Sequence, residues 1–511
     1  MRYRFHRGSI VSAAVVGVDV GTSSTKGVLV ALDGTLLANA TRAHDVSRPA
    51  AGHVEMDGSV WWDEFVSITR ELLSVRPQVE VVAVGVSGMG PCTLVTGDDG
   101  QPLRPAILYG VDMRATEQIR RLDERYGQTA IVARGGSALT SQAVGPKLEW
   151  LSDHEPDVMR RATRLFMPSS YLAWHLTGEY LLDHHSASQS TPLYDTTTHS
   201  WYRPWWDDIA GAIAPPRLAW ADAAAGTVTT DASAATGIPV GVPVTVGTVD
   251  AWAEAVSVGA HRVGDLMLMY GTTMFLVCTV DEPVPAPPLW STVGVFEGTR
   301  NLAGGMAASG AITSWLRDLT GSDYSTLTAE AAASPPGAAG LVMLPYFAGE
   351  RTPFEDPAAR GVVAGLTLDH TRGDLYRAAL EATAFGVRHH LEAFTAAGAP
   401  IRRIVAVGGG SQGDLWTQIV SDVTGVRQER RRHSIGASFG SAFLAARLVS
   451  GDGAIDIDRW NPPVNGVEPD PRTAAIYDRH YELYRRLYDS TAPIVHALAD
   501  TGHLTDRKHE P

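Results

Sequence analysis

The stretch VVGVDVGTSSTKGVLVALDG (Val15–Gly34) sets a carboxylate, Asp19, inside what reads as a buried strand and breaks two residues later into Gly-Thr-Ser-Ser. A carboxylate taken out of water destabilises a fold unless a cation or hydrogen-bond donors compensate it, so this strand needs a partner for its charge. The same order returns in DLMLMYGTTMFLVCTVDEP (Asp265–Pro283): apolar strand, Gly-Thr turn, second apolar strand, acidic turn. Each reads as a hairpin. Downstream of each lies a β-branched run ending in glycines, VEVVAVGVSGMG (Val79–Gly90) and IRRIVAVGGGSQG (Ile401–Gly413). Repeats this far apart predict a duplicated domain rather than a solenoid.

With 511 residues the chain can bury more than one core. GIPVGVPVTVGTVDAWAEAVSVGA (Gly237–Ala260) supplies a strand ending at Asp250 and then a helix of small residues, which puts the boundary near Ala255 and gives domains 1–255 and 256–511. Helical patterns such as DLYRAALEATAFGVRHHLEAF (Asp374–Phe394) and DLWTQIVSDVTG (Asp414–Gly425) alternate with the strands. The fold class is therefore α/β, with two domains of mixed sheet covered by helices and facing each other across an interdomain cleft. The last helix is expected to pack back on the first domain.

A net charge of −14 argues against nucleic acid or an anionic membrane as partner. The basic cluster RQERRRH (Arg427–His433) reads as a solvated loop. Two cysteines, Cys92 and Cys278, cannot form a disulfide framework; they read as core residues of a cytoplasmic protein. No apolar run approaches the ~20 residues of a membrane span. The first ten or so residues read as a disordered extension, because a cleaved secretory signal there would destroy the Asp19 strand. The adjacent histidines of LDHHSAS (Leu182–Ser188) point in different directions on any regular element, which argues against a transition-metal site.

Glycines and hydroxyls at a hairpin tip expose backbone N–H groups and Oγ atoms where no Cβ blocks an approaching phosphate. One such turn is only a tight turn; two in corresponding places can grip a phosphate chain from both sides. Neither GxxxxGK[ST] nor GxGxxG after the first strand is present. Asp19, just before the first turn, is suited to holding Mg²⁺, whose charge offsets the carboxylate's burial. Asp250, the second strand-end carboxylate, can orient a hydroxyl and take its proton during phosphoryl transfer.

At this point the chain resembles the FGGY family of carbohydrate kinases, within the ribonuclease H-like superfold of actin, hexokinase and the heat-shock chaperone ATPases. GVVAGLTLDHTRGDLYRAALE (Gly361–Glu381) is the most specific match, and LPYFAGERTP (Leu344–Pro353) is also typical. In GPKLEWL, Lys147, Leu148, Trp150 and Leu151 agree with the family's other signature, while the residues before them do not. The resemblance runs from about Val15 to Asp452. It implies phosphate binding by Thr22, Ser23 and Lys26, with Gly271, Thr272 and Thr273 near the γ-phosphate. It places Gly310 beside the nucleotide and Gly409, Gly410 and Asp414 at the adenosine. It makes Asp250 the catalytic base and names Asp19 and Asp250 as the metal ligands. Mg²⁺ is the implied cofactor, ATP and a small sugar the implied partners, and a homodimer is compatible with all of this.

SGMGPC, PAILYGVDMRA and LPYFAGERTPFEDP resemble the xylulokinase-like branch, which implies D-xylulose as substrate and D-xylulose 5-phosphate as product. The sugar pocket departs from that branch: Met89 is followed by Gly90 where a histidine is usual, and Asp250 by Ala251 where Asn or Gln is usual. Met89, Tyr109, Asp112 and Trp252 are the candidates for the pocket wall, with Trp252 or a residue of Arg104–Trp205 filling the space at Gly90. Another pentulose, a hexulose or an alditol stays open as substrate. An actin-like or chaperone-like ATPase shares both hairpins, but Arg104–Trp205 resembles the sugar-binding part of the kinases. A sugar sensor without turnover would not need both Asp19 and Asp250.

Overall fold

The structure, a computed structural model, describes residues 13–284, 286–451, 453–464 and 466–502; the expected amino-terminal extension lies outside them. The chain divides into two units. The first comprises residues up to His261 with Thr292–Arg300 and Ile435–Pro462, and the second comprises Arg262–Ser291, Asn301–Ser434 and the chain from Pro463. The boundary thus lies a few residues beyond Ala255, after the helix Asp250–Ser257 has closed.

Among the described residues the first unit contains a seven-stranded sheet in the order Ala224–Thr227, Pro243–Thr245, Glu80–Gly88, Ala13–Val20, Ser24–Ala31, Leu36–Ala43, with Thr248–Val249 also pairing with Glu80–Gly88. Ala13–Val20 and Ser24–Ala31 form the first hairpin, antiparallel, with Asp19 opposite Lys26 and Val20 opposite Thr25. Glu80–Gly88 runs parallel to the hairpin's first strand and sets Ser87 beside Asp19. The second unit repeats this plan. Asp265–Tyr270 pairs antiparallel with Met274–Val280 and parallel with Arg403–Val407, in a six-stranded sheet completed by Arg300–Met306, Trp290–Val293 and Gln428–Glu429. The α/β class and the duplication expected from the two Gly-Thr hairpins are both present.

The helix Ala437–Ser450 packs on the first unit's central strands because two strand residues lack side chains. A Cβ on Gly17 would lie 2.1 Å from Ser438 O, and one on Gly85 would lie 1.9 Å from Ser441 O. These distances are impossible contacts with backbone, so glycine is required for the helix to lie flat on the sheet. Gly85→Ala is expected to destabilise the first unit by about 1–3 kcal/mol or more, the usual cost of overpacking. Urea unfolding followed by tryptophan fluorescence should show the lowered midpoint; an unchanged midpoint contradicts this packing.

The last helix, Ala474–Gly502, corrects an expectation: it belongs to the second unit, where it packs near Val342–Leu344, Arg372–Ala396 and Asp414–Thr424. Its tyrosines decide this, since Tyr477, Tyr481 and Tyr484 are buried around Phe385. The segment that joins the first unit is instead Ile435–Pro462. Cys92 and Cys278 are free and buried, with thiol pKa values pushed up by desolvation to about 12. Among the described residues no helix is long and apolar enough to cross a membrane.

Candidate active site

In the first unit the strand Glu80–Gly88 lies between the strands that deliver the two carboxylates. Asp19 pairs with Ser87 on one side; Thr248 and Val249 pair with Ser87 and Gly88 on the other, and Asp250 follows as the first residue of the helix Asp250–Ser257. Asp19 is 8% exposed. Ser87 Oγ donates to Asp19 Oδ1 at 2.8 Å and Ser441 Oγ donates to Ser87 Oγ at 2.8 Å, a relay that orients the Asp19 carboxylate. Asp250 Oδ1 accepts from the Ala251 N–H at 2.7 Å.

Glu254, one helical turn beyond Asp250, joins these two. Burial, then the charges of Asp250 and Glu254, push Asp19 up to about 8, against the opposing pull of Ser87 and Lys26. Burial raises Asp250 to about 6. Burial and Asp250 raise Glu254 to about 7, again opposed by Lys26. Asp19 and Glu254 thus share one lysine, with the Asp250 charge beside them, and the deficit in positive charge is what a divalent cation would fill. Among the described residues no three His, Cys, Asp or Glu side chains are grouped closely enough to hold a metal by themselves, so water or phosphate oxygens would complete its shell.

This cluster has a measurable consequence without ligand. The folded carboxylates keep protons that the unfolded chain has released above about pH 4, so stability falls as pH rises from there toward about 8. Asp19→Asn should flatten that fall. Urea midpoints taken between pH 5 and pH 8 check this, and parallel wild-type and variant profiles would contradict it.

The first Gly-Thr turn is braced from behind. His44 Nε2 lies 3.0 Å from Gly21 O and Nδ1 lies 2.9 Å from Glu64 Oε2, while Thr25 Oγ1 donates to the same carboxylate at 2.5 Å. Thr22 Oγ1 is 2.9 Å from Tyr109 OH, so Tyr109 reaches the turn. Ser23 and Lys26 are exposed there.

The other expected pocket residues each have surroundings of their own. Asp112 is drawn into a buried ion pair: Oδ2 takes Arg114 Nη2 at 2.8 Å and the Val54 N–H at 2.6 Å, and Oδ1 takes the Arg114 N–H at 3.1 Å. Its carboxylate is thereby committed to holding the loop. Met89 is buried in the core of the first unit. The Trp252 ring lies tilted against His185, ring centroids 4.0 Å apart. A Cβ on Gly90 would meet Val249 Cγ2 at 2.9 Å, so Val249, not Trp252, fills that space.

His185 donates from Nδ1 to Val293 O at 2.7 Å, and His184 Nδ1 is 2.8 Å from Tyr194 OH; the two rings diverge, each with its own partner. Arg427 pairs with Glu429 and Glu468, and Arg430 with Asp414, so the basic cluster of the second unit is largely held in ion pairs.

In the second unit a cavity of about 490 Å³ is lined by Gly271, Thr272, Gly310, Gly409 and Gly410, five of the expected nucleotide residues. The second Gly-Thr turn caps the helix Gly310–Thr320: Gly271 O accepts from the Gly310 N–H at 3.0 Å and Thr272 O from the Ala311 N–H at 3.1 Å. A Cβ on Gly310 would approach Gly271 O to 2.5 Å, which only glycine avoids. Thr273 closes the turn, its carbonyl accepting from the Gly271 N–H at 3.1 Å. Asp414 starts the helix Asp414–Thr424, but its side chain turns to Arg430, 2.7 Å away. Sequence reading missed the walls: Tyr376, Leu380 and Trp416 line the cavity as well. Trp416 is held by its Nε1 donating to Thr383 Oγ1 at 2.9 Å.

Residues 14–257 match the N-terminal domain model, and 266–449 the C-terminal domain model, of the FGGY family of carbohydrate kinases. A xylulose kinase of Escherichia coli (strain K12) is 29% identical over 491 residues, spanning 94% of this chain and 99% of that protein. The solved structure of a xylulose kinase from Rhodospirillum rubrum superposes with a TM-score of 0.88 at 32% identity, over 94% of this chain and all of that one. A glycerol kinase of Alkalilimnicola ehrlichii is 30% identical over 457 residues, 86% of this chain and 91% of that protein.

Proposed function

Since the chain belongs to the FGGY family of carbohydrate kinases, we propose that it moves the γ-phosphate of ATP to a hydroxyl of a ketose, D-xylulose, giving D-xylulose 5-phosphate and ADP. The observation that carries this reading is the pair Asp19 and Asp250, one at each side of the strand Glu80–Gly88, with pKa values raised toward neutrality. The substrate follows from the relatives named xylulose kinase, matched over nearly the whole chain.

In this reading Asp250 accepts the proton of the attacking hydroxyl. A carboxylate titrating near 6 is ionised at neutral pH and basic enough for that task. Asp19 and Asp250 would hold Mg²⁺, which when bound neutralises charge on the phosphate oxygens. Thr22, Ser23, Lys26, Gly271, Thr272 and Thr273 contact the phosphates, and Gly409 and Gly410 border the nucleoside. Tyr109 and Trp252 border the sugar. The protein works in the cytoplasm, and nucleic acid and membranes are not among its partners.

A glycerol or other polyol substrate is the second reading, favoured by the glycerol kinase relative and by the missing polar groups at Gly90 and Ala251. Incubation with ATP, Mg²⁺ and D-xylulose, followed by mass spectrometry, tests the first. One ketose monophosphate per ADP is expected; ADP without an ester, or an ester only with glycerol, rejects it.

A further inference from the structure

We propose that the phosphoryl donor is not restricted to ATP and that the base site accepts guanine about as well as adenine, so the enzyme also uses GTP. This rests on the reading of the second unit's cavity as the nucleotide site. Among the described residues, and apart from the Trp416 indole N–H, which is spent on Thr383 Oγ1, the polar side chains lining that cavity are hydroxyls: Tyr270 and Thr272 at the turn, and Thr313, Ser314, Tyr324, Thr328 and Tyr376 on the wall. The rest of the wall, Leu380, Leu415 and the ring face of Trp416, is apolar.

Adenine and guanine differ in the polarity of their edge, an amino donor at C6 in one and a carbonyl acceptor in the other. A site rejects the wrong base when a group of fixed polarity, such as an amide or a carboxylate, is left buried and unpaired by it. A hydroxyl has no fixed polarity, since rotation about its C–O bond offers either the proton or a lone pair. Ser314 Oγ and Tyr324 OH lie 2.7 Å apart and either can be the donor; Ser314 Oγ also donates to Gly310 O at 3.1 Å, and Arg317 Nη1 donates to Tyr324 OH at 3.2 Å.

Backbone groups, which do have fixed polarity, are largely committed. The N–H groups of Gly271, Gly310 and Gly413 donate to Thr273 O, Gly271 O and Gly410 O. The apolar wall adds stacking, which every base can satisfy. No amide, carboxylate or cationic side chain lines the cavity to tell one purine from the other.

Isothermal titration of the full-length protein with ADP and with GDP, each with Mg²⁺, tests this, alongside phosphorylation of D-xylulose with ATP and with GTP. The expected result is a Kd for GDP within about tenfold of that for ADP and a similar ratio of kcat/KM for the triphosphates. A larger gap in favour of ADP, in a protein that phosphorylates the ketose with ATP, overturns the inference and leaves the kinase reading standing. Failure of both diphosphates to bind removes the nucleotide reading of the cavity, and this inference with it.

Discussion

Asp250→Asn is expected to lower kcat by about 10²–10⁴ while sugar and nucleotide still bind, the range for loss of a general base. The substitution keeps the shape of the side chain and the acceptor for the Ala251 N–H, so the start of the helix Asp250–Ser257 is retained. What it removes is the proton acceptor. Steady-state rates with titration calorimetry of ADP separate the two effects, and near wild-type turnover would take Asp250 out of the chemistry. Glu254 makes the control informative: Glu254→Gln removes a like charge that raises Asp19, but leaves Asp250 in place, and should cost far less.

Asp19→Ala is expected to raise the Mg²⁺ concentration for half-maximal rate by about 10–100-fold and to slow turnover, the usual cost of losing a group that anchors or orients a metal's shell. The Ser441–Ser87 relay would then end on an empty position. Activity at graded Mg²⁺ measures the effect. An unchanged Mg²⁺ dependence would mean that Asp19 is buried for the sake of the sheet alone.

How much of this was legible in the residues differs between elements for physical reasons. The two hairpins were, because a Gly-Thr turn between apolar runs has a local signature, and Asp19 and Asp250 were, because a carboxylate at the end of a buried strand has few structural uses. Glu254 was within reach, four residues after Asp250 on a helix and hence on the same face, but its importance depends on Asp19 and Lys26 arriving from the two strands of the first hairpin. The ion pair of Asp112 with Arg114, two residues on, follows from loop geometry that no periodicity reports. At Gly90 the sequence shows a missing side chain, whereas only the packing shows Val249 in its place. The last helix was misjudged because the tyrosines that fix it face Phe385 on a helix about a hundred residues earlier. Likewise the nucleotide wall draws Tyr376 and Leu380 from one helix and Trp416 from another, and nothing in either alone announces the cavity.

The central claim, a kinase acting on a ketose, is tested most directly by measuring ADP release across pentuloses, hexuloses and alditols with Mg²⁺ and ATP. Gly90 and Ala251 leave fewer polar groups to reject a wrong ligand, and apolar contacts discriminate by only ~1–3 kcal/mol per group. D-xylulose should therefore rank first or within about tenfold of first, a gap of ~1.4 kcal/mol in transition-state binding, with detectable turnover of at least one related ketose or alditol. ADP release that does not depend on any sugar, or a strong response to glycerol or a hexulose with D-xylulose at background, would contradict the account.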